Sequence, residues 1–242
     1  MLKILGVILS WVNPFFLISK AITYFRIRKF NNLFGNDSSK NLHVIYNVYE
    51  TPSLATIFPK PKLRVQRSRC SGGTHLTTVN STATSRAIAH LVYGFAKSVG
   101  RSPKIASDVE CDDRMDISFI SIGGSTNCKS VDLLENASNK FLDFRNSAIV
   151  DKESGKEFIR AGSDPGFDHG FIIKIKPHGN EKRTWICCAG FAEWATSGAA
   201  WYLAHRWKEI YKWAKKSEFA LIIKTKKGSD ESTILLHKFL RD

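Results

Sequence analysis

The chain has 242 residues, 43% of them hydrophobic and 12% aromatic, which excludes a disordered polymer and allows one large domain or a domain with an appendage. Its 36 Lys+Arg against 22 Asp+Glu leave a formal charge of +14, which suits an anionic partner (nucleic acid, anionic lipid or a nucleotide) and equally plain solubility. The five cysteines, Cys70, Cys111, Cys128, Cys187 and Cys188, have no C-x-x-C spacing and no histidine at zinc-finger distance, so no metal site is expected. An odd count without a framework points to a reducing compartment.

The first element is the apolar run Ile4 to Ser19, "ILGVILSWVNPFFLIS", with Lys3 before it and Lys20, Arg26, Arg28 and Lys29 after it. It is a little short for a bilayer span, and Asn13-Pro14 interrupts it. A kinked span, an interfacial helix or hairpin with basic groups on lipid headgroups, and a secretory signal all fit such a run. A buried helix used for oligomer packing is the plain alternative. The signal lacks a small-x-small cleavage site, and the basic cluster follows the apolar part. The expectation is a membrane-anchoring segment over residues 1–35, with the basic side and a soluble domain in the cytoplasm at the cell inner membrane. The polar stretch Asn36 to Asn41 then opens an α/β domain over residues 36–242.

Along that domain, Leu42 to Tyr49 reads as a strand, and residues 50–81, with Pro52, Pro59 and Pro61, as an irregular basic excursion. Apolar residues at helical spacing predict a helix over Thr82 to Val99, stopped by Gly100. A short strand "PKIAS", an acidic loop and a strand over Ile117 to Ile122 follow. "NCKSVDLLENASNKF" reads as a helix, and "FLDFRNSAIVD" and "KEFIRAG" as strands. Two apolar runs around Pro177-His178-Gly179-Asn180 form a hairpin, "ATSGAAWYLAHRWKEIYKWAKK" a long helix, and the last runs a second hairpin around Gly228. This order predicts an α/β fold: a Rossmann-like mixed sheet flanked by helices, its parallel centre carrying antiparallel additions.

Two strand-to-helix junctions carry glycines. One is Gly123, Gly124, Ser125, Thr126 and Asn127; the other is Gly190 followed by Glu193, Trp194, Thr196 and Ser197. Glycine lets a ligand approach the backbone, and a following helix N-terminus favours phosphate or carboxylate. Neither loop matches G-x-G-x-x-G or G-x-x-x-x-G-K-[ST], and tight turns and helix caps account for the same residues. Asn127 suits a base or sugar as well as a cap, and Trp194 a stacked base. Glu193, and Asp168 beside His169 in the loop Gly162 to Gly170, are the carboxylates available for acid–base work. The acidic residues from Asp108 to Asp116 do not fit a calcium loop. No motif names a cofactor.

The stretches "ISFISIGGSTN" and "DHGFIIKIKPHGNEKRTWICCAGFAEWATSGAAWYLAHRW" resemble a Rossmann-like group of prokaryotic surface-layer-type proteins and membrane-anchored conflict-system effectors. Gly123, Gly124 and Asn127 match its Gly-Gly-x-x-Asn strand end, Asp168-His169-Gly170 its Asp-x-Gly strand, and Gly190 with Thr196 to Ala200 its last glycine turn. Ala195 stands where that group carries a glycine. The resemblance implies an effector or sensor of a defence system that binds a nucleotide-like ligand and works with a partner protein. Two other functions stay open: hydrolysis of an N-glycosidic bond in a nucleotide or NAD, with Glu193 or Asp168 supporting an oxocarbenium-like state, and a non-catalytic module docking a partner at the membrane. A homo-oligomer is compatible with each.

Overall fold

Strands of this chain alternate between two apolar faces, which is what a sheet buried on both sides requires. Val44, Ile120, Ile122, Ile172, Ile186, Cys188 and Leu221 point to one face, and Ile45, Phe119, Phe171, Ile173, Trp185, Cys187 and Ile222 to the other. The structure, a computed structural model, describes residues 14–36, 38–47, 82–145 and 148–241. Most of the apolar run of residues 4–19 and the basic excursion of residues 50–81 lie outside them.

The elements in chain order are α1 (Pro14–Phe34), α2 (Ser38–Asn41), β1 (His43–Tyr46), α3 (Thr82–Val99), β2 (Lys104–Ser107), β3 (Phe119–Ile122), α4 (Cys128–Glu135), β4 (Leu142–Arg145), β5 (Ala148–Asp151), β6 (Glu157–Arg160), β7 (Phe167–Ile175), β8 (Trp185–Gly190), α5 (Glu193–Ala214), β9 (Glu218–Lys226) and β10 (Ile234–Arg241). Seven strands form one sheet in the order β10-β9-β7-β8-β3-β1-β2. β2, β1, β3 and β8 run parallel, and β7, β9 and β10 add on antiparallel. This is the mixed sheet expected from the sequence. A separate three-stranded sheet, β4-β5-β6, was not legible, because its strands carry too few apolar residues to announce a second layer.

The end of α1, α3 and α5 cover one face of the large sheet; α4 and the small sheet cover the other. Among the described residues no helix is long and apolar enough to cross a membrane. The boundary expected at residue 35 cuts through packing rather than between units. Phe30, Leu33 and Phe34 are fully buried. The Phe30 ring centroid lies 5.0 Å from Phe95 and 5.5 Å from Trp207, both edge-on. Trp207 Nε1 in turn donates to Ser98 Oγ at 3.1 Å, which satisfies its polar end. Burying three such side chains contributes roughly 5 kcal/mol or more. A chain begun at residue 26 should therefore melt with the full-length protein, whereas one begun at residue 36 should lose most of its stability. Circular-dichroism melts compare the two; equal melts would detach α1 from the core.

Among the described residues one buried amine stands in this core without a partner. Lys174 stands between Ile186 of β8 and Phe219 of β9, is 1% exposed, and its Nζ has no hydrogen-bond partner. Burial above all, helped by Lys176 and opposed by Glu218, pushes its ammonium down to about 7. Between that value and the ordinary lysine value of about 10.4 the unfolded chain binds more protons than the folded one, so stability rises with pH across this window. Lys174→Met should remove that rise and stabilise the neutral-pH protein by several kcal/mol, up to about 5. Urea unfolding at a series of pH values from neutrality upward reads both effects, and an unchanged slope would show that the amine reaches water.

Candidate functional site

The parallel strands end at one edge, and the sheet order places a switch point there. From β1 the chain crosses over α3 to β2 on one side, and β3 lies on the other side with α4 on the opposite face. In open α/β sheets this crevice is where ligands bind. The edge collects nearly every residue singled out in the sequence, because Gly170 of β7 lies opposite Gly190 of β8, and Asp168 opposite Thr225 of β9.

Gly123, with φ of +94°, turns the chain out of β3. Asn127 is fully buried. Its Nδ2 donates to the carbonyls of Ile45 at 3.1 Å and Ile122 at 3.0 Å, bridging β1 and β3. Its Oδ1 accepts from the amides of Lys129 and Ser130, capping α4. All the bonding capacity of that amide is committed, so Asn127 holds the switch point together and offers nothing to a base or sugar. The next amide, Cys128 N, donates to Asp108 Oδ2 at 3.2 Å. An internal carboxylate thus takes the place a phosphate would occupy at α4. Ser125 and Thr126 form the exposed tip, where Thr126 Oγ1 accepts from Asn47 Nδ2 at 3.3 Å, and Gly124 borders Phe144 and Ala189. Cys128 is disulfide-bonded, which removes the cysteine count as an argument for a reducing compartment.

The second junction follows the same logic. Ala192 at the N-cap of α5 has no side chain that can cap. Asp168 Oδ2 reaches across from β7 and accepts from Ala195 N at 2.9 Å, while Oδ1 accepts from the His169 amide at 2.9 Å. The buried Asp168 carboxylate is therefore a helix cap, and it bonds the backbone of His169 rather than its ring. Asp168 and the His169 ring form no acid–base pair, because successive strand residues point to opposite faces. Gly190 is equally structural. A Cβ on it would stand 2.4 Å from Ala195 Cβ, and one on Gly170 2.4 Å from the Ala189 carbonyl oxygen. The space that looked reserved for a ligand is filled by α5.

Thr196 Oγ1 bonds the Ala192 carbonyl, and Ser197, fully buried, donates to Asp230 Oδ1 at 2.5 Å. Trp194 is covered by the Arg86 guanidinium, 3.9 Å from its ring, in place of a stacked base. Glu193 is exposed at the first turn of α5. The sequence reading missed the group that ties these residues together. Asp230 Oδ2 accepts from Arg86 Nε at 3.2 Å and lies 2.9 Å from His90 Nε2. Burial pushes the Asp230 carboxyl up, but the hydrogen bonds of His90 and Ser197 and the charges of Arg86 and His90 outweigh it and hold it below its ordinary value. Arg86 and His90, at i and i+4 on α3, were the available signal. Ser197 and His90 both bond the carboxylate rather than each other, so this is an ionic lock between α3, α5 and the β9–β10 turn, not a nucleophilic triad.

Among the described residues no three His, Cys, Asp and Glu side chains gather as a metal ion needs. No family model, curated protein or solved structure matches this chain.

These contacts make the glycines testable. Gly190→Ala should lower the melting temperature by many degrees, because the new methyl collides with Ala195 Cβ in a close-packed interior. Gly124→Ala, whose Cβ would meet its nearest atom at 3.8 Å, should fold normally. A folded Gly190→Ala protein of wild-type melting temperature would return that position to the ligand-binding reading.

Proposed function

We propose that this protein is a membrane-associated, non-catalytic docking module, held on an anionic lipid surface by α1. One observation carries the reading. From Phe16 to Phe25 every residue of α1 is exposed, and Phe16, Ile18, Ile22 and Phe25 stand between 52% and 56% exposed. Apolar exposure on this scale, on a helix held at its far end by the core, calls for a covering surface. Lys20, Arg28 and Lys29 lie exposed on the same helix, so the covering surface is one that takes apolar groups and cations together. The boundary between lipid headgroups and acyl chains does both. The helix is about 30 Å long, and the apolar residues of the sequence continue ahead of it from Ile4.

Supporting the non-catalytic part of this reading, Asp168, Asn127, Gly170, Gly190 and Trp194 of the carboxyl edge are consumed in holding the fold, which leaves Glu193 alone and exposed there. An effector or sensor that meets a partner protein at the membrane, as the sequence resemblance implies, would use such docking.

The full-length protein should sediment with vesicles of phosphatidylcholine mixed with phosphatidylserine, and far less with phosphatidylcholine alone. Replacing Lys20, Arg28 and Lys29 by Gln should weaken binding to the anionic vesicles roughly 100-fold, at about 1 kcal/mol per cation. Replacing Ile18, Ile22 and Phe25 by Ser should abolish it. Binding that ignores both sets of changes, or a helix covered instead by a second copy of the chain in lipid-free sizing experiments, would sink the proposal.

A further inference from the structure

The opposite edge of the sheet, where the parallel strands begin, holds a cavity of about 210 Å³ lined by polar and charged residues with Ile117 as its one apolar side chain. Lys104 opens β2, Arg114 and Ser118 precede β3, Arg183 precedes β8, and His43 opens β1. Asn36, just after α1, and Asn41, at the end of α2, close the remaining side. Against three permanent cations the lining holds one carboxylate, Asp116, which lies 3.7 Å from Arg114 with its own side chain 72% exposed. Among the described residues no carboxylate lies within salt-bridge distance of Lys104 or Arg183. Three like charges converging on one hollow repel each other unless an anion joins them.

The imidazole of His43 adds an independent observation. It is 7% exposed, and its Nδ1 donates to the Asn41 carbonyl at 3.1 Å. The Ser118 backbone also hydrogen-bonds the ring, so both segments that border the cavity hold the imidazole in place. Burial, then the charges of Arg114 and Lys104, push the imidazole below its ordinary value, so the empty pocket disfavours a further positive charge.

We infer that this cavity is a binding site for a small polar phosphate monoester. A doubly charged oxyanion matches the excess of cations, and guanidinium groups bond its oxygens in forked geometry. The volume is several times the roughly 30 Å³ that one water occupies in the liquid, so the site has room for the phosphoryl group and a short hydroxylated substituent. Inorganic phosphate supplies the charge alone. Glycerol 3-phosphate and the headgroup of a phosphatidate lipid supply the full chemistry, the second from a bilayer beside α1. A bound dianion also favours the imidazolium of His43, so binding raises the pH at which that ring titrates.

The test uses the full-length protein and has two arms. In the first, calorimetry and the NMR titration of His43 follow the addition of inorganic phosphate, glycerol 3-phosphate and uncharged glycerol. Both phosphates should bind and raise the His43 value, and glycerol should not. Arg183→Gln and Lys104→Gln, at surface positions, should each weaken binding roughly tenfold or more and leave the melting temperature unchanged. In the second arm, vesicles carrying phosphatidate are compared with vesicles carrying phosphatidylglycerol, whose phosphate is a diester. A preference for phosphatidate that Arg183→Gln removes identifies the lipid as the source; soluble binding without that preference identifies a free metabolite. Either supports the site. Absence of binding in both arms, or binding indifferent to Arg183 and Lys104, overturns it. The first arm does not depend on α1, so failure of membrane docking and failure of this pocket give different results.

Discussion

The close approach of α5 to the sheet is the constraint on which the rest of the structure depends. Gly170 and Gly190 lie opposite each other on β7 and β8, and the missing side chain of Gly190 is replaced by Ala195. One turn on, Gly198 lets the helix reach Thr225 and Thr233, and Ala204 packs against Gly94 of α3. A helix seated this deeply buries its own N-terminus, where unpaired amides cost free energy unless something accepts from them. Asp168 lies on the neighbouring strand within reach and caps it. The lock of Asp230, Arg86, His90 and Ser197 closes the same end. The features that look like a nucleotide loop thus follow from packing a small-residue helix against a mixed sheet.

This explains what could and could not be read from residues alone. Apolar, β-branched runs and helical spacing were enough for the main strands, both hairpins and the three longer helices of the domain, because those patterns are set by burial. Helix α3 runs from Thr82 to Val99 as its spacing predicted. The roles of glycines and carboxylates were not legible. Gly190 at a ligand and Gly190 against Ala195 have the same sequence signature, since both need the absence of a Cβ. Asp168 as a catalyst and Asp168 as a cap differ only in which strand stands beside it. The boundary near residue 35 misled for a related reason: Asn36 to Asn41 is polar, but Phe30, Leu33 and Phe34 before it complete the core.

Charge is distributed unevenly between the two edges of the sheet. The carboxyl edge carries Asp108, Asp168 and Asp230, each bonded to a helix N-terminus or to α3 cations. The amino edge carries Lys104, Arg114 and Arg183 around His43 with little to neutralise them. In a fold that holds phosphate at its carboxyl edge, the helix N-termini there are left open and electropositive. Here they are closed by internal anions. The surplus positive charge of the chain finds an opening at the other end of the strands.

That opening adjoins the foot of α1. Gly35, at the end of the helix, sits against Thr184 and Ser118 so tightly that a Cβ would lie 2.9 Å from Thr184 Oγ1. The segments before β3 and β8 that carry Arg114 and Arg183 are therefore held against the turn that leaves α1. The aromatic contacts of Phe30 and Phe34 with Phe95 and Trp207 fix the helix direction relative to the same edge. The end of α1 and the basic cavity are thus joined through buried side chains.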